Sequence, residues 1–132
     1  MKKIYILSFI VLALISSCDC DKSDDNTSTD ETPVVFKYSY DSNISLSGSL
    51  IVNVELTSSM PSTEGIIITA LVKDKTNNQE ISQNAALSTS EVKNTITLIN
   101  LPRQHWCTVD LSVSSHKTPS NKATQSFEVI YK

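Results

Sequence analysis

The chain has 132 residues, a formal net charge of −3 and 39% hydrophobic residues, which fits one small globular domain. The acidity lies near the N-terminus: residues 19–31 hold six acidic residues and one lysine, whereas residues 32–132 hold eight acidic and eight basic residues. A domain without basic excess lacks the electrostatic footprint of nucleic-acid binding, so nucleic acid is excluded as an expected partner.

Residues 1–17 have the organisation of a secretory signal peptide. Lys2 and Lys3 supply a positive charge, and an apolar run follows from residue 4 to residue 15, relieved by Tyr5 and Ser8. Such a run of about twelve residues spans roughly 18 Å as a helix, short of the roughly 30 Å hydrocarbon core of a membrane. We therefore expect cleavage after export and no transmembrane helix.

The apolar run ends in Ile15-Ser16-Ser17-Cys18, which resembles the lipobox of bacterial lipoproteins. The resemblance implies cleavage before Cys18, diacylglycerol on its thiol and an acylated amine, with fatty acids such as palmitate. Each buried CH₂ contributes roughly 0.8 kcal/mol, so several acyl chains would hold the protein in a leaflet of the membrane. No cofactor is expected beyond this covalent lipid. The alternative is an ordinary cleaved signal in which Cys18 is incidental.

An acidic cluster follows the cysteine and comprises Asp19, Asp21, Lys22, Asp24 and Asp25. It is similar to the export signal that Bacteroides-type bacteria place behind the lipidated cysteine of surface lipoproteins. The resemblance implies an outer-membrane lipoprotein that faces the cell exterior. The alternative is a solvated tether on a periplasm-facing anchor. Residues 18–33 are accordingly predicted to be the lipidated cysteine and a flexible tether with a reach of about 20 Å.

From residue 34 onward the apolar residues recur with a period of two, which predicts half-buried antiparallel strands. The alternating stretches are residues 34–40, 50–56, 66–73, 95–101, 107–113 and 127–131. A further short strand is expected near residues 79–81 or 85–87, in the segment 76–90 where the pattern is weakest. Six or seven strands without a helical stretch predict an antiparallel β-sandwich over residues 34–132.

The motif Leu101-Pro102, followed by Cys107, Val109 and Leu111, resembles the closing third of a fibronectin type III or related immunoglobulin-like domain. The resemblance implies an immunoglobulin-like sandwich. Cys107 stands where that family has a tyrosine, and the adjacent tryptophan is out of phase with the family's early core tryptophan. Because of these departures, the resemblance predicts the architecture of the domain but identifies no functional residue.

The cysteines and histidines favour neither a metal site nor an active site. Alternation turns Cys107 inward as a buried thiol, and a bridge between Cys20 and Cys107 is left open. His105 and His116 are expected to be exposed loop residues at opposite ends of one strand, roughly 30 Å apart. No serine lies in a nucleophile elbow, and Asp41-Ser42-Asn43 is interpreted as a turn. We expect no catalytic residues, no metal and no enzymatic activity.

Trp106 is the most suggestive side chain for function. If Cys107 points inward, alternation turns Trp106 outward at the start of a strand, beside Arg103 and His105. An exposed tryptophan with a nearby arginine suits a protein contact or the face of a sugar. The alternative is that the Trp106 ring covers an open end of the sandwich as part of the core.

These features together predict a membrane-anchored, non-enzymatic accessory module that binds a protein partner in an outer-membrane nutrient-uptake or surface assembly. Three alternatives remain at this point. The domain is a surface glycan-binding module that uses an exposed aromatic ring, it is a structural spacer or polymer subunit, or it is an enzyme whose active site the sequence does not reveal. A flat or convex exposed apolar patch would favour a binding module. A concave pocket in which polar groups with shifted pKa values converge would favour an enzyme, and an unpaired edge strand would favour a polymer subunit.

Overall fold

The computed structural model describes residues 31–132. The predicted signal peptide, the predicted lipidation site Cys18, the predicted export signal and Cys20 lie outside the described residues. The described chain is all-β, so it contains no helix that could cross a membrane. Its eight strands are β1 (Phe36–Tyr40), β2 (Leu50–Leu56), β3 (Ile66–Asp74), β4 (Glu80–Ile81), β5 (Leu87–Thr89), β6 (Lys93–Leu98), β7 (Trp106–Ser115) and β8 (Lys122–Ile130).

The strands form two antiparallel sheets that pack as a sandwich. One sheet has the order β1-β2-β6, and the other has the order β4-β3-β7-β8 with β5 also paired to β3. The predicted all-β sandwich is thereby confirmed, and each of the six alternating stretches overlaps a strand. The candidate at residues 79–81 forms β4, and the candidate at residues 85–87 overlaps β5 at Leu87, so the described chain has eight strands where the sequence predicted six or seven. The two short strands pair with opposite ends of β3. The pattern is weak there because the two strands have only two and three residues.

The core lies between the sheets and is built from the alternate residues of each strand. In β7 the residues Cys107, Val109, Leu111 and Val113 are at most 1% exposed, whereas the residues between them are partly exposed. Facing them from the other sheet are the inward residues of β2, among them Val52 and Val54. The burial of apolar side chains on one face of each sheet fixes the register of the strands, because shifting one strand by one residue would expose those side chains to water.

The ten residues of β7 separate the two ends of the sandwich by roughly 30 Å. We call one end, with the β7–β8 turn (residues 116–121), the tether end, because residues 31–34 lie against that turn. We call the opposite end, with the β1–β2 loop (residues 41–49) and the start of β7, the far end. This polarity places the β1–β2 loop and the start of β7 away from the point where residues 31–34 enter the domain.

Asn121 fixes residues 31–34 at the tether end. Its Oδ1 accepts a hydrogen bond from the Val34 N–H at 3.0 Å, and its Nδ2 donates to the Thr32 carbonyl at 2.9 Å and to Glu31 Oε2 at 3.2 Å. Residues 31–33 therefore have a defined path on the domain, although the sequence pattern assigned them to the tether.

Replacing Asn121 with alanine is expected to release the segment that enters the domain. A hydrogen bond contributes about 1 kcal/mol, so the amide of Val34 should exchange with deuterium about fivefold faster while the core amides of β7 stay protected. Hydrogen exchange read by mass spectrometry checks this. The control is Asn94→Ala, because the Asn94 side chain bonds the local Glu91 carbonyl and not the entry segment. Unchanged exchange at Val34 in N121A would contradict the assignment.

Candidate functional site

A cleft of about 460 Å³ opens at the far end of the sandwich, which is within the range of roughly 300–1,000 Å³ of small-ligand sites. One wall is the β1–β2 loop and the other is the last part of β8 with the residues that follow it. Aromatic and aliphatic side chains share the cleft with polar ones: it is lined by Tyr40, Ser42, Asn43, Ile44, Leu50, Trp106, Glu128, Val129, Ile130, Tyr131 and Lys132.

Trp106 borders this cleft from the outer face of the five-stranded sheet. It is 49% exposed, and its neighbour Cys107 is 1% exposed, so the two side chains alternate as the sequence pattern predicted. Its cross-strand partner on β8 is Ile130, and its carbonyl accepts a hydrogen bond from the Lys75 N–H at 2.8 Å. The indole ring therefore lies outside the core, and the main chain that carries it is fixed by β8 on one side and by the end of β3 on the other.

Two tyrosines connect the walls of the cleft. The Tyr131 hydroxyl donates to the Leu46 carbonyl at 2.8 Å, and the Tyr40 hydroxyl donates to the Glu128 carbonyl at 3.3 Å. Leu46 is 97% exposed on the loop that Tyr131 holds. These hydrogen bonds tie the β1–β2 loop and the end of β1 to the end of β8.

The turn Asp41-Ser42-Asn43 forms as the sequence analysis expected. Asp41 Oδ1 accepts hydrogen bonds from the Asn43 N–H at 3.0 Å and from Asn43 Nδ2 at 2.8 Å. An aspartate that bonds the main chain two residues on is a common way to make a turn. This turn places Ser42 and Asn43 in the wall of the cleft.

The structure does not group Arg103 and His105 with the cleft. Arg103 is exposed, and its main chain forms a parallel bridge with Tyr131. The aromatic contacts found in residues 31–132 include none between Arg103 and Trp106. Of the three residues that the sequence proposed as a binding surface, Trp106 alone lines the cleft, and Arg103 lies on the adjoining main chain.

His105 differs from the freely exposed loop histidine that the sequence predicted. Its Nδ1 lies 2.7 Å from Oδ2 of Asp74, and its side chain is 40% exposed whereas that of Asp74 is 6% exposed. Asp74 ends β3 on the inward face, in phase with Ile68 and Val72. The alternation of β3 was the feature of the sequence that could have predicted this pair, because a carboxylate that points inward at the end of a strand needs a hydrogen-bond partner.

The pKa of Asp74 is held below its ordinary value by the hydrogen bond with His105 first, and then by the Thr76 N–H, which donates to Oδ1 at 2.8 Å. A lowered pKa in the folded state means that the carboxylate stabilises the fold above its unfolded pKa and loses this contribution as the pH falls through the folded value. The β3–β4 turn and the β6–β7 loop are therefore joined by an interaction that is weakened in acid.

Asp74→Asn is expected to lower the free energy of unfolding at pH 7, and the difference from the wild type should shrink as the pH falls below the ordinary pKa of an aspartate, about 3.9. Urea denaturation of both proteins across this pH range is the measurement. Asp110→Asn serves as the control, because Asp110 bonds the exposed Ser126 hydroxyl on the sheet surface. A difference that is constant with pH would show that the charge of Asp74 does not stabilise the fold.

Cys107 and His116 do not form a reactive group. Burial raises the pKa of the Cys107 thiol, and the nearby Asp74 charge raises it further, which disfavours the nucleophilic thiolate. His116 lies at the tether end, where its main-chain N–H donates a hydrogen bond to the Gly65 carbonyl at 3.0 Å. Within residues 31–132, no three His, Cys, Asp or Glu residues come together as a metal-binding group.

One side-chain carboxylate lines the cleft, that of Glu128, and it is paired with the Lys75 ammonium at 2.6 Å. Glycoside hydrolysis generally requires two carboxylates facing the scissile bond. The lining side chains of the cleft thus offer aromatic faces, hydroxyl groups and an amide for binding.

No family model matches the chain, and no curated protein matches it. Among solved structures, the domain is similar to the solution NMR structure of residues 27–141 of a conjugate transposon protein from Bacteroides vulgatus. The two share 13% sequence identity with a TM-score of 0.46, and the alignment covers 77% of this chain and 87% of the other.

Proposed function

We propose that this protein is a lipid-anchored, non-enzymatic binding module of the outer membrane that faces the cell exterior. In this proposal the lipid on Cys18 is its covalent anchor, and the far end binds a protein partner in a nutrient-uptake or surface assembly. The observation that carries the proposal is the position of Trp106. It lies at the opposite end of β7 from the turn where residues 31–34 enter the domain.

This polarity supports a binding role because an anchored domain meets partners with the end away from its anchor. Within residues 31–132, three of the five large apolar side chains that are exposed belong to the far end, namely Leu46, Ile51 and Trp106. Exposed apolar residues close to polar groups are typical of protein interfaces, where tryptophan is among the residues most often essential.

We also propose that the domain is of the immunoglobulin or fibronectin type III kind. Support comes from the strand order, in which β1-β2-β6 faces β4-β3-β7-β8 and the chain crosses between the sheets after β2, β5 and β6. Such crossing connections between two antiparallel sheets are characteristic of immunoglobulin-like sandwiches.

Glycan binding in the same cleft is the second candidate function. It is favoured by the rings of Trp106 and Tyr131 next to the polar side chains of Ser42 and Asn43. A sugar ring offers one apolar face and a rim of hydroxyl groups, which such a site can bind. A glycan array probed with the purified protein distinguishes this candidate.

The test of the proposed function is photo-crosslinking in intact cells with a benzophenone amino acid at Leu46. The matched control carries the same amino acid at Val92, which is 47% exposed and precedes β6 at the tether end. We expect one protein adduct from position 46 and none from position 92. Equal adducts from both positions, or adducts from neither, would contradict binding of a protein at the far end.

A further inference from the structure

We infer that the cleft receives an extended peptide segment of the partner, which adds as a further strand to the free edge of β8. This inference rests on the proposed function and names the chemistry of the partner at that site. It joins two features of the far end: the edge of β8 that pairs with no strand, and a cleft with apolar side chains on both of its faces.

The cleft runs along the edge of β8. Five consecutive residues, 128–132, line it. Successive side chains of a strand point to opposite faces of the sheet, so a cleft on one face would touch alternate residues. A cleft that touches every residue from 128 to 132 therefore reaches both faces of this segment around the end of β8, and with them the strand's free edge.

The hydrogen-bonding groups of this edge point into the cleft. Among the described strands β8 pairs with β7 and no other, so its second side is an edge. The Glu128 carbonyl accepts the Tyr40 hydroxyl from the opposite sheet and therefore faces away from β7, whereas the Tyr131 carbonyl accepts the Gln104 N–H on the β7 side. Because these directions alternate along a strand, the main-chain groups of Ile130 face the cleft as well.

An extended peptide matches this edge in both hydrogen bonding and side chains. The main-chain groups of an edge strand that pair with no other strand are a template for one more strand. The Glu128 carbonyl already accepts the Tyr40 hydroxyl, and a carbonyl oxygen has a second lone pair with which it can also accept an N–H of the peptide. Trp106 and Ile130 lie on the outer face of the sheet, whereas Tyr40 and Ile44 belong to the inner side of the cleft. A strand laid against β8 would place alternate side chains against Ile130 on the outer face and against Tyr40 and Ile44 on the inner side. Trp106 lies one strand beyond Ile130, so a long side chain of the peptide would reach it across Ile130.

The charge near the cleft favours an acidic residue in the peptide, because two exposed cations lie at the far end against the exposed carboxylate of Asp41. Arg103 and Lys132 are both exposed at this end, and neither takes part in the ion pairs found in residues 31–132. Glu128, the carboxylate of the cleft, is already paired with Lys75. A partner strand with alternating apolar residues and an acidic residue is the occupant that this surface fits.

The experiment selects binders from a phage-displayed library of random linear peptides on the full lipoprotein in lipid nanodiscs. The best peptide is then synthesised as a series, each member with one N-methylated amide. We expect binding to weaken about tenfold at every second residue and to stay unchanged between them, because alternate N–H groups of an added strand bond β8. The inference is overturned if N-methylation weakens binding without an effect at every second residue, or if no peptide is selected.

A pair of variants tests the same edge from the side of the protein. Ile130→Ala removes the side chain, and Ile130→Pro also removes the N–H that faces the cleft while leaving the bonds to β7, as proline does on edge strands. We expect I130P to bind the selected peptide about tenfold more weakly than I130A. Equal binding overturns the inference, and if I130P does not fold, the N-methyl series decides alone.

The outcomes separate this inference from the proposed function. A protein adduct at Leu46 together with a peptide series that lacks alternation overturns strand addition and leaves partner binding at the far end. Binding of glycans in the array without peptide selection and without a protein adduct overturns both and supports the second candidate.

Discussion

Replacing Gly65 with alanine is expected to lower the free energy of unfolding by about 3 kcal/mol. Gly65 has a φ of +86°, a main-chain conformation that residues other than glycine rarely adopt. A Cβ placed there would meet the Thr89 carbonyl oxygen at 2.3 Å and the Ser90 Cα at 3.2 Å. Both atoms belong to the main chain around the end of β5, so the contact cannot be relieved by rotating a side chain.

Gly65 is also hydrogen bonded on both sides, which limits how far it can move. Its N–H donates to the Ser62 carbonyl at 3.2 Å, and its carbonyl accepts the His116 N–H at 3.0 Å. Urea denaturation of G65A and the wild type measures the loss. Thr63→Ala in the same turn is the control, because Thr63 is exposed. A loss below about 1 kcal/mol, the usual size of the backbone entropy effect alone, would contradict the close approach.

Replacing Trp106 with alanine is expected to weaken binding of the protein captured at Leu46 about thirtyfold, the effect of losing about 2 kcal/mol at an interface hot spot. The fold should remain stable, because the ring stands half exposed outside the core and the hydrogen bond to its carbonyl uses the main chain. Biolayer interferometry with the captured partner measures the affinity, and thermal unfolding measures the stability.

Ile51→Ala is the matched control for W106A. Ile51 is 56% exposed and also belongs to the far end, but it lies on the outer face of the other sheet and does not line the cleft. We expect a change of less than about threefold in I51A, since most interface residues contribute little when truncated. A similar loss in both variants would indicate a broad apolar contact and not a site centred on Trp106.

Part of the candidate site could be read from the sequence, because alternation in a strand is a local property. The inward Cys107 required an outward Trp106, and the structure agrees. Arg103 and His105 were grouped with Trp106 because they are adjacent in sequence. In the structure His105 pairs with Asp74, which is 31 residues away, and loop conformation decides such pairings.

The sequence by itself determined the all-β architecture, the approximate positions of the six main strands and the face of β7 that enters the core. These follow from a period of two, which each strand carries in its own residues. The tertiary structure alone decided which residues share the cleft, because Tyr40, Trp106 and Ile130 come from three strands in two sheets. It also decided the polarity of the domain: residues 31–34 are fixed by Asn121, 87 residues beyond Val34 in the chain. Contacts between residues so far apart depend on how the sheets pack, and no local pattern encodes them.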